Sequence, residues 1–419
     1  MPKKFLAKHS LALKLAALVA VTPLAIDTYL PAIPTIAEAL DADIPIINLT
    51  VSIYLLGFAL GQIIGGPLSD RLGRKPVAII GLLIFFICSI AISQVASADG
   101  FLLLRFLQAL GGGHASVVAG AIVRDRFKGQ ESAKVFSTIG MIMMAAPLLA
   151  PAIGSILLEF VNWQGIFIFL AIYAALLLVM LTVGLEESRK PASSPTKSSG
   201  TPDSPQIGEQ QPPHSILMHY WHSYASVFRA RASLPHLISQ ACVSGILFTL
   251  ITNASFIYIH YFGVSESAFP LFFAAVTGCS IVAGRFNLYF LKHHQRLVIL
   301  RRAASFQLLM AASLGAYILF GEPNLWLTVI FFGAIVTTMG FSYSNNMSLY
   351  LDHHGDVGGS ANAIFGCATF TAGALLGGVS SLLHDGTLLP VGLLMLLGSL
   401  CNFVILTRIK PQTLPPTSE

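Results

Sequence analysis

Long apolar runs broken by short polar stretches recur along the whole chain. Splitting at the polar breaks predicts twelve helical segments, at 11–33, 46–68, 77–97, 101–122, 134–158, 163–184, 234–258, 268–290, 298–320, 325–350, 358–381 and 387–407. Each is long enough for a helix rising 1.5 Å per residue to cross the hydrocarbon core of a bilayer. They fall into two groups of six. The intervening stretch 191–213 is rich in Pro, Ser, Thr and Gly and buries too little apolar surface to order itself. The expected fold is all-α and transmembrane: twelve spanning helices in two six-helix bundles, 1–186 and 233–419, joined by a cytoplasmic linker, 187–232. Late in the linker Ile216, Leu217, Tyr220, Tyr224, Val227 and Phe228 recur at helical spacing. They read either as a short helix on the membrane surface or as an extension of segment seven. Six plus six spans suit a transporter built from two parallel halves. Channels and membrane enzymes can share that span count.

Composition agrees with the pattern. The 419 residues are 55% hydrophobic and 10% charged, against about 25% charged in soluble proteins, and mean hydropathy is +0.75. A net charge of +5 would suggest a nucleic-acid partner in a soluble chain. Here the positions of the charges explain the excess better. Of the 24 Lys and Arg, all but Arg105 fall before segment one, after segment twelve or in alternate loops on one face. The other loops, around Asp41, Asp99, Glu159, Glu266, Glu322 and Asp385, carry none. The positive-inside rule then places both termini in the cytoplasm. Lysines ahead of an apolar run could mark a signal peptide, but this run is too long and holds Asp27 and three prolines, so a retained first span is expected. Cys88, Cys242, Cys279, Cys367 and Cys401 all lie in apolar segments and read as packing residues.

Asp27 sits inside the first apolar run, in Ala-Ile-Asp-Thr-Tyr-Leu-Pro-Ala-Ile-Pro (25–34). An acid there costs a few kcal/mol and commonly faces a cavity or a partner. The expected partner is Arg105 on segment four. Counting residues down antiparallel spans places both about 8–9 Å beneath the outer surface. Arg105 could instead snorkel outward and serve topology alone. His114, deeper on the same segment, could relay protons or simply pack.

Between segments two and three stands Gly-Pro-Leu-Ser-Asp-Arg-Leu-Gly-Arg-Lys-Pro (66–76). Gly66 would let helices approach, Gly73 would permit a tight turn, and Asp70 could bridge to basic groups or a neighbouring helix terminus, a latch in a gating loop that also holds Arg71, Arg74 and Lys75. The same loop could be merely topogenic. It resembles the major facilitator superfamily signature G-x-L-a-D-r-x-G-r-k. Arg105, Gln108 and the glycines at 111 and 112 resemble that family's R-x-x-q-G. In segment five Met144 precedes Ala-Ala-Pro-Leu-Leu-Ala-Pro-Ala-Ile-Gly (145–154), which resembles the antiporter motif of the drug exporters, with Ala146 and Ala150 where glycines are usual. Pro147 and Pro151 would bend the helix and Gly154 would let a neighbour approach, although a purely structural kink would look the same. With 27–31, Val-Arg-Asp (123–125) and 146–151, the first half resembles the Bcr/CflA subfamily. That resemblance implies a bacterial inner-membrane drug/proton antiporter with the major facilitator fold.

The second half offers no embedded acid or base, only amides, hydroxyls and aromatics. Tyr29, Tyr54, Gln108, His114, Met144, Asn253, Phe256, Asn345 and Asn346 are expected to line a substrate cavity, one wall charged and the other of amides and rings. Catalytic and metal motifs are lacking, with no HExxH, nucleophile elbow or P-loop in the sequence. The expectation is a proton-coupled, alternating-access exporter of small amphiphilic drugs or antibiotics, not an enzyme, with Asp27 and Arg105 as the coupling pair. It is expected to sit as a monomer in the bacterial inner membrane, with a small-molecule substrate, protons as the only coupling ion, no other cofactor, no metal and no nucleic acid. A metabolite exporter, for a sugar, nucleoside or amino acid, and a non-transporting sensor are the rival expectations.

Overall fold

A computed structural model describes residues 2–127, 130–185, 187, 224–354 and 358–409; the 188–223 stretch of the expected linker, with Ile216, Leu217 and Tyr220, lies outside the described residues. At 2–9, 130, 132–133, 137, 144 and 359 the backbone alone is described. Among the described residues there is no strand, and twelve helices are long and apolar enough to cross a membrane.

The first span is broken. Helix α1 (Pro2–Asp27) ends at Asp27, a tight 3-10 turn (Leu30–Ala32) follows, and α2 (Ile33–Ala39) resumes the path, so the span runs to Ala39 rather than the expected 33. The cause is local. Pro31 has no N–H to donate to the Asp27 carbonyl four residues back, and Pro34 repeats the defect one turn on. The last helical bond is Thr28 N–H to Leu24 O (3.1 Å).

Spans two to six are α3 (Ile44–Leu72), α4 (Arg74–Ile92), α5 (Ala98–Arg126), α6 (Gln130–Phe160) and α7 (Trp163–Gly184). Gly73 alone joins α3 to α4 at φ +101°, a conformation a side chain resists. The second set is α8 (Leu234–Ser255, continued by a wide turn at Phe256–Tyr261), α9 (Phe269–Phe290), α10 (Arg296–Phe320), α11 (Leu325–Leu351), α12 (Gly358–Leu382) and α13 (Leu389–Arg408).

Helix pairing repeats six spans later. The pairs α1–α6, α3–α5, α4–α5 and α4–α7 have counterparts in α8–α12, α9–α11, α10–α11 and α10–α13. Contact between the two sets runs through α3–α12, α3–α8 and α6–α9. Charge divides the ends of the bundle. Arg71, Arg74, Lys75, Arg124, Arg126, Lys292, Arg296 and Arg408 cluster at one end, called here the basic end, and the loops at Asp41, Asp99, Glu266 and Asp385 form the acidic end.

Gly66 is not where helices meet. A Cβ there would touch only Val117, at 4.0 Å. The close approach belongs to Gly57, Gly61 and Gly65, one turn apart, where a Cβ would stand 2.4 Å from the Phe106 carbonyl, 2.4 Å from the Leu110 carbonyl and 2.9 Å from the His114 Cα. Backbone contact that close between α3 and α5 is van der Waals packing without a hydrophobic driving force, as lipid requires.

Candidate functional site

Arg105 lies on α5 and is fully buried. Its guanidinium carbon sits 4.3 Å from the Tyr29 ring centre and 4.4 Å from that of Tyr54, with Phe167 at 5.8 Å. A planar cation stacked between rings and shielded from water is held by about 2 kcal/mol or more. Nη1 donates to Gln108 Oε1 (2.7 Å), and Gln108 Nε2 donates to Ser89 Oγ (2.7 Å). Nη2 donates to the Ala25 carbonyl (3.1 Å). That carbonyl is available because Tyr29, which would have donated to it in an unbroken helix, lies in the turn. Tyr29 is fixed in place by a hydroxyl bond to Thr50 Oγ1 (2.8 Å). Tyr54 reaches over Gly112, where a Cβ would stand 3.2 Å from its hydroxyl.

The expected Asp27–Arg105 ion pair is not formed. Asp27 is 3% exposed and its Oδ1 has no hydrogen-bond partner, while Arg105 directs Nη1 to Gln108 and Nη2 to Ala25 and leaves its buried Nε without a hydrogen bond. The helix break explains this: it delivers a backbone carbonyl to Arg105 and leaves the carboxylate two residues further on. Tyr29, Tyr54 and Gln108 therefore wrap the cation and are closed from solvent, rather than lining an open cavity.

Other expected cavity residues also turn inward. His114 is 5% exposed, its Nδ1 2.7 Å from the Leu110 carbonyl, and it packs against Gly65 and Gly81. Asn253 Nδ2 donates to the Thr249 carbonyl and to Ser380 Oγ, both at 2.8 Å. Asn345 Nδ2 donates to Asn287 Oδ1 (2.8 Å) and Asn346 Nδ2 to Ser239 Oγ (3.1 Å). These amides join helices within the second half. Amides buried in lipid-facing bundles must find partners, and helix neighbours supply them first. Phe256 does line a cleft, of about 650 Å³ at the acidic end, between Pro34, Glu38, Asp43, Ile44, His384 and Asp385. The side chain of Met144 lies outside the described residues.

At the basic end Arg74 is the hub. It meets Asp70 at 2.6 Å and Asp125 at 3.0 Å, and donates to Ser69 Oγ at 2.7 Å. Glu187 accepts from the Arg74 and Lys75 backbone N–H groups (3.0 and 2.9 Å), capping the start of α4. Lys75 Nζ donates to the Thr182 carbonyl at the end of α7 (2.8 Å). Arg71 is exposed. Glu187 was missed from the sequence, where an acid amid basic residues just after span six is the only signal. Tyr224, at the start of a helical turn at 224–229, has its hydroxyl pKa raised by burial and by the nearby Asp70 charge.

Pro147 and Pro151 lie within an unbroken α6. Gly154 is where α6 meets the first-span break: a Cβ there would fall 1.7 Å from the Thr28 carbonyl oxygen. The next residue, Ser155, donates to the Glu266 carbonyl (2.6 Å), and the Glu266 carboxylate accepts from Thr35 (3.0 Å). Span and loop lengths carry no sign of that three-way contact. Among the described residues no group of three or more His, Cys, Asp or Glu is placed to hold a metal.

Comparison with known proteins adds a lineage to this geometry. The Major Facilitator Superfamily profile matches residues 15–378. A bicyclomycin resistance protein homolog of Haemophilus influenzae is 27% identical over 88% of this chain and 88% of its own length. The multidrug resistance protein MdtL of Klebsiella pneumoniae is 38% identical over 42% of this chain and 45% of its own. The Escherichia coli xylose transporter XylE, in a partially occluded inward-open conformation, superposes with a TM-score of 0.70 over 96% of this chain and 99% of its own at 15% identity, a likeness of fold.

Proposed function

Since the chain belongs to the major facilitator superfamily, as a multi-pass transporter of the bacterial inner membrane, we propose that it exports small amphiphilic drugs or antibiotics in exchange for protons. Its two halves rock so that one site faces each side in turn. Both termini are cytoplasmic, the protein acts as a monomer, and protons are the only coupling ion. The bicyclomycin and multidrug resistance relatives support the substrate class.

The observation that carries the reading is the division of labour between Arg105 and Asp27. Arg105 is held by neutral partners through both Nη atoms and by two rings, so its charge stays in the site whatever Asp27 does. Asp27 keeps an oxygen with no protein donor, at a helix break in a buried setting. An ionised carboxylate in that setting is expensive, and either a proton or a polar group of the substrate supplies what it lacks. Two ligands that satisfy one carboxylate exclude one another, which is exchange. The Glu266 contacts with Thr35 and Ser155 join the two halves at the acidic end and are bonds to be broken as the halves rock, while the Asp70–Arg74–Asp125 cluster ties α3, α4 and α5 into one body within the first half.

The test is Asp27→Asn in proteoliposomes with an imposed pH gradient. Drug binding should persist while gradient-driven efflux is lost. Normal efflux by Asp27→Asn would place the proton carrier elsewhere.

A further inference from the structure

The contact that closes the acidic end is layered. Following α3, α8 and α12 inward from the acidic-end cleft, Ile44 and Phe256 line the cleft itself. Just beneath come Asn48 on α3 and Ser255 on α8. One turn deeper are Ser52 and Thr252, and both converge on Gly377 of α12: a Cβ there would meet Thr252 Oγ1 at 2.6 Å and Ser52 Oγ at 2.8 Å. Below them an aromatic trio shuts the seam, with Phe370 at 4.8 Å from Phe58 and 5.9 Å from Phe248, centre to centre.

The two polar layers are unusual in what they lack. Asn48, Ser52, Thr252 and Ser255 are each at most 3% exposed. Yet both side-chain atoms of Asn48 and all three hydroxyl oxygens have no hydrogen-bond partner in the protein. Buried polar atoms are almost always paired, with protein or with ordered water. Asn253, next to Thr252 on the same helix, does pair, donating to Ser380. Here four residues on two helices of different halves are left without protein partners beneath a cleft, and two of them, Ser52 and Thr252, meet at a glycine.

We propose that this column is a hydrated site inside the closed gate, filled from the acidic end, that admits water or hydronium as far as the aromatic trio while the same gate bars a bulky amphiphile. Hydroxyls and an amide can both donate and accept, so they hold water in either orientation and pass a proton along it. Uncharged groups do so without trapping an ion. Gly377 leaves the room, because a methyl group at that position would occupy the space between the two hydroxyls. The proposal does not depend on Asp27 being the proton carrier, and its test reads no transport.

In the full chain with its five native cysteines replaced, single Ser52→Cys and Thr252→Cys variants are exposed to silver ion or to a bulky maleimide, and the free thiol remaining is measured by mass spectrometry. Silver, comparable to water in size, should consume both thiols while the maleimide leaves them intact. Val51→Cys, beside Ser52 but packed in the apolar core, should resist both. Thiols at 52 and 252 as inert to silver as that at 51 would overturn the proposal. Equal loss to the maleimide would overturn it too, since it would mean an open gate rather than a wet closed one. Should the variants not fold, radiolytic labelling of the unaltered chain gives the same decision. Water in the column should oxidise Phe248, at its inner end, above the fully buried Phe332, and equal labelling of the two would refute it.

Discussion

The two halves share a pairing scheme and use different glue. In the first, α3, α4 and α5 approach backbone to backbone at Gly57, Gly61, Gly65, Gly81, Gly111 and Gly113, and the polar centre is a guanidinium between two tyrosines. In the second, Gly340 makes one such approach, but the polar centre is a chain of neutral groups. Ser239 donates to Asn402 (2.7 Å), Asn402 to Gln307 (3.1 Å) and Gln307 to Thr338 (2.6 Å), which ties α8, α13, α10 and α11 together. A guanidinium stacked flat between two rings needs those rings held in fixed places, and close glycine contacts between the helices provide that. A neutral network supplies its own ties between helices.

Breaking that comparison should start with the glycines. Gly154→Val would drive a side chain into the Thr28 carbonyl and should cost more than the usual 1–3 kcal/mol of overpacking, about the whole margin of a marginal membrane protein. Thermal unfolding in detergent should show a large fall in Tm or no folded protein. Gly61→Ala, 2.4 Å from the Leu110 carbonyl, should fall within that range of about 1–3 kcal/mol.

Next comes Arg105→Lys. An ammonium cannot stack flat between Tyr29 and Tyr54 while reaching both Gln108 and the Ala25 carbonyl. Transport should be lost, and Tm should fall as stacking of about 2 kcal/mol is given up. A lysine variant with normal transport would show that charge alone suffices.

Asn402→Leu in the second half should cost less, about 0.6–1.7 kcal/mol per lost interhelical bond, and should leave transport measurable. Should it instead abolish transport without affecting Tm, the network is part of the machinery and the contrast between the halves is wrong.

The smallest expected effect is a pH dependence at the basic end. His354 is buried against Ser233 (2.9 Å), and burial pushes its pKa below the ordinary value. The unfolded chain then binds the extra proton, so stability from this group is present above about pH 6.5 and declines as pH falls through that value. His354→Gln should flatten the Tm profile between pH 7 and 5.5, over roughly that window.

Span number, the alternation of basic and acidic loops and the membrane setting were legible from the sequence alone. Hydropathy and charge act residue by residue, and a bilayer reads them without regard to neighbours. Asp27 and Arg105 were legible for the same reason, since each is costly wherever its side chain points. Only the tertiary structure decided their partners. One missing N–H at Pro31 broke the first span and offered Arg105 the Ala25 carbonyl in place of the carboxylate. The packing of the helices likewise made Asn345 and Asn346 helix ties, put the close approach at Gly57, Gly61 and Gly65 rather than Gly66, and set Gly154 against the break. Which donor meets which acceptor depends on helix rotation and separation to within an ångström, and composition and spacing do not encode that.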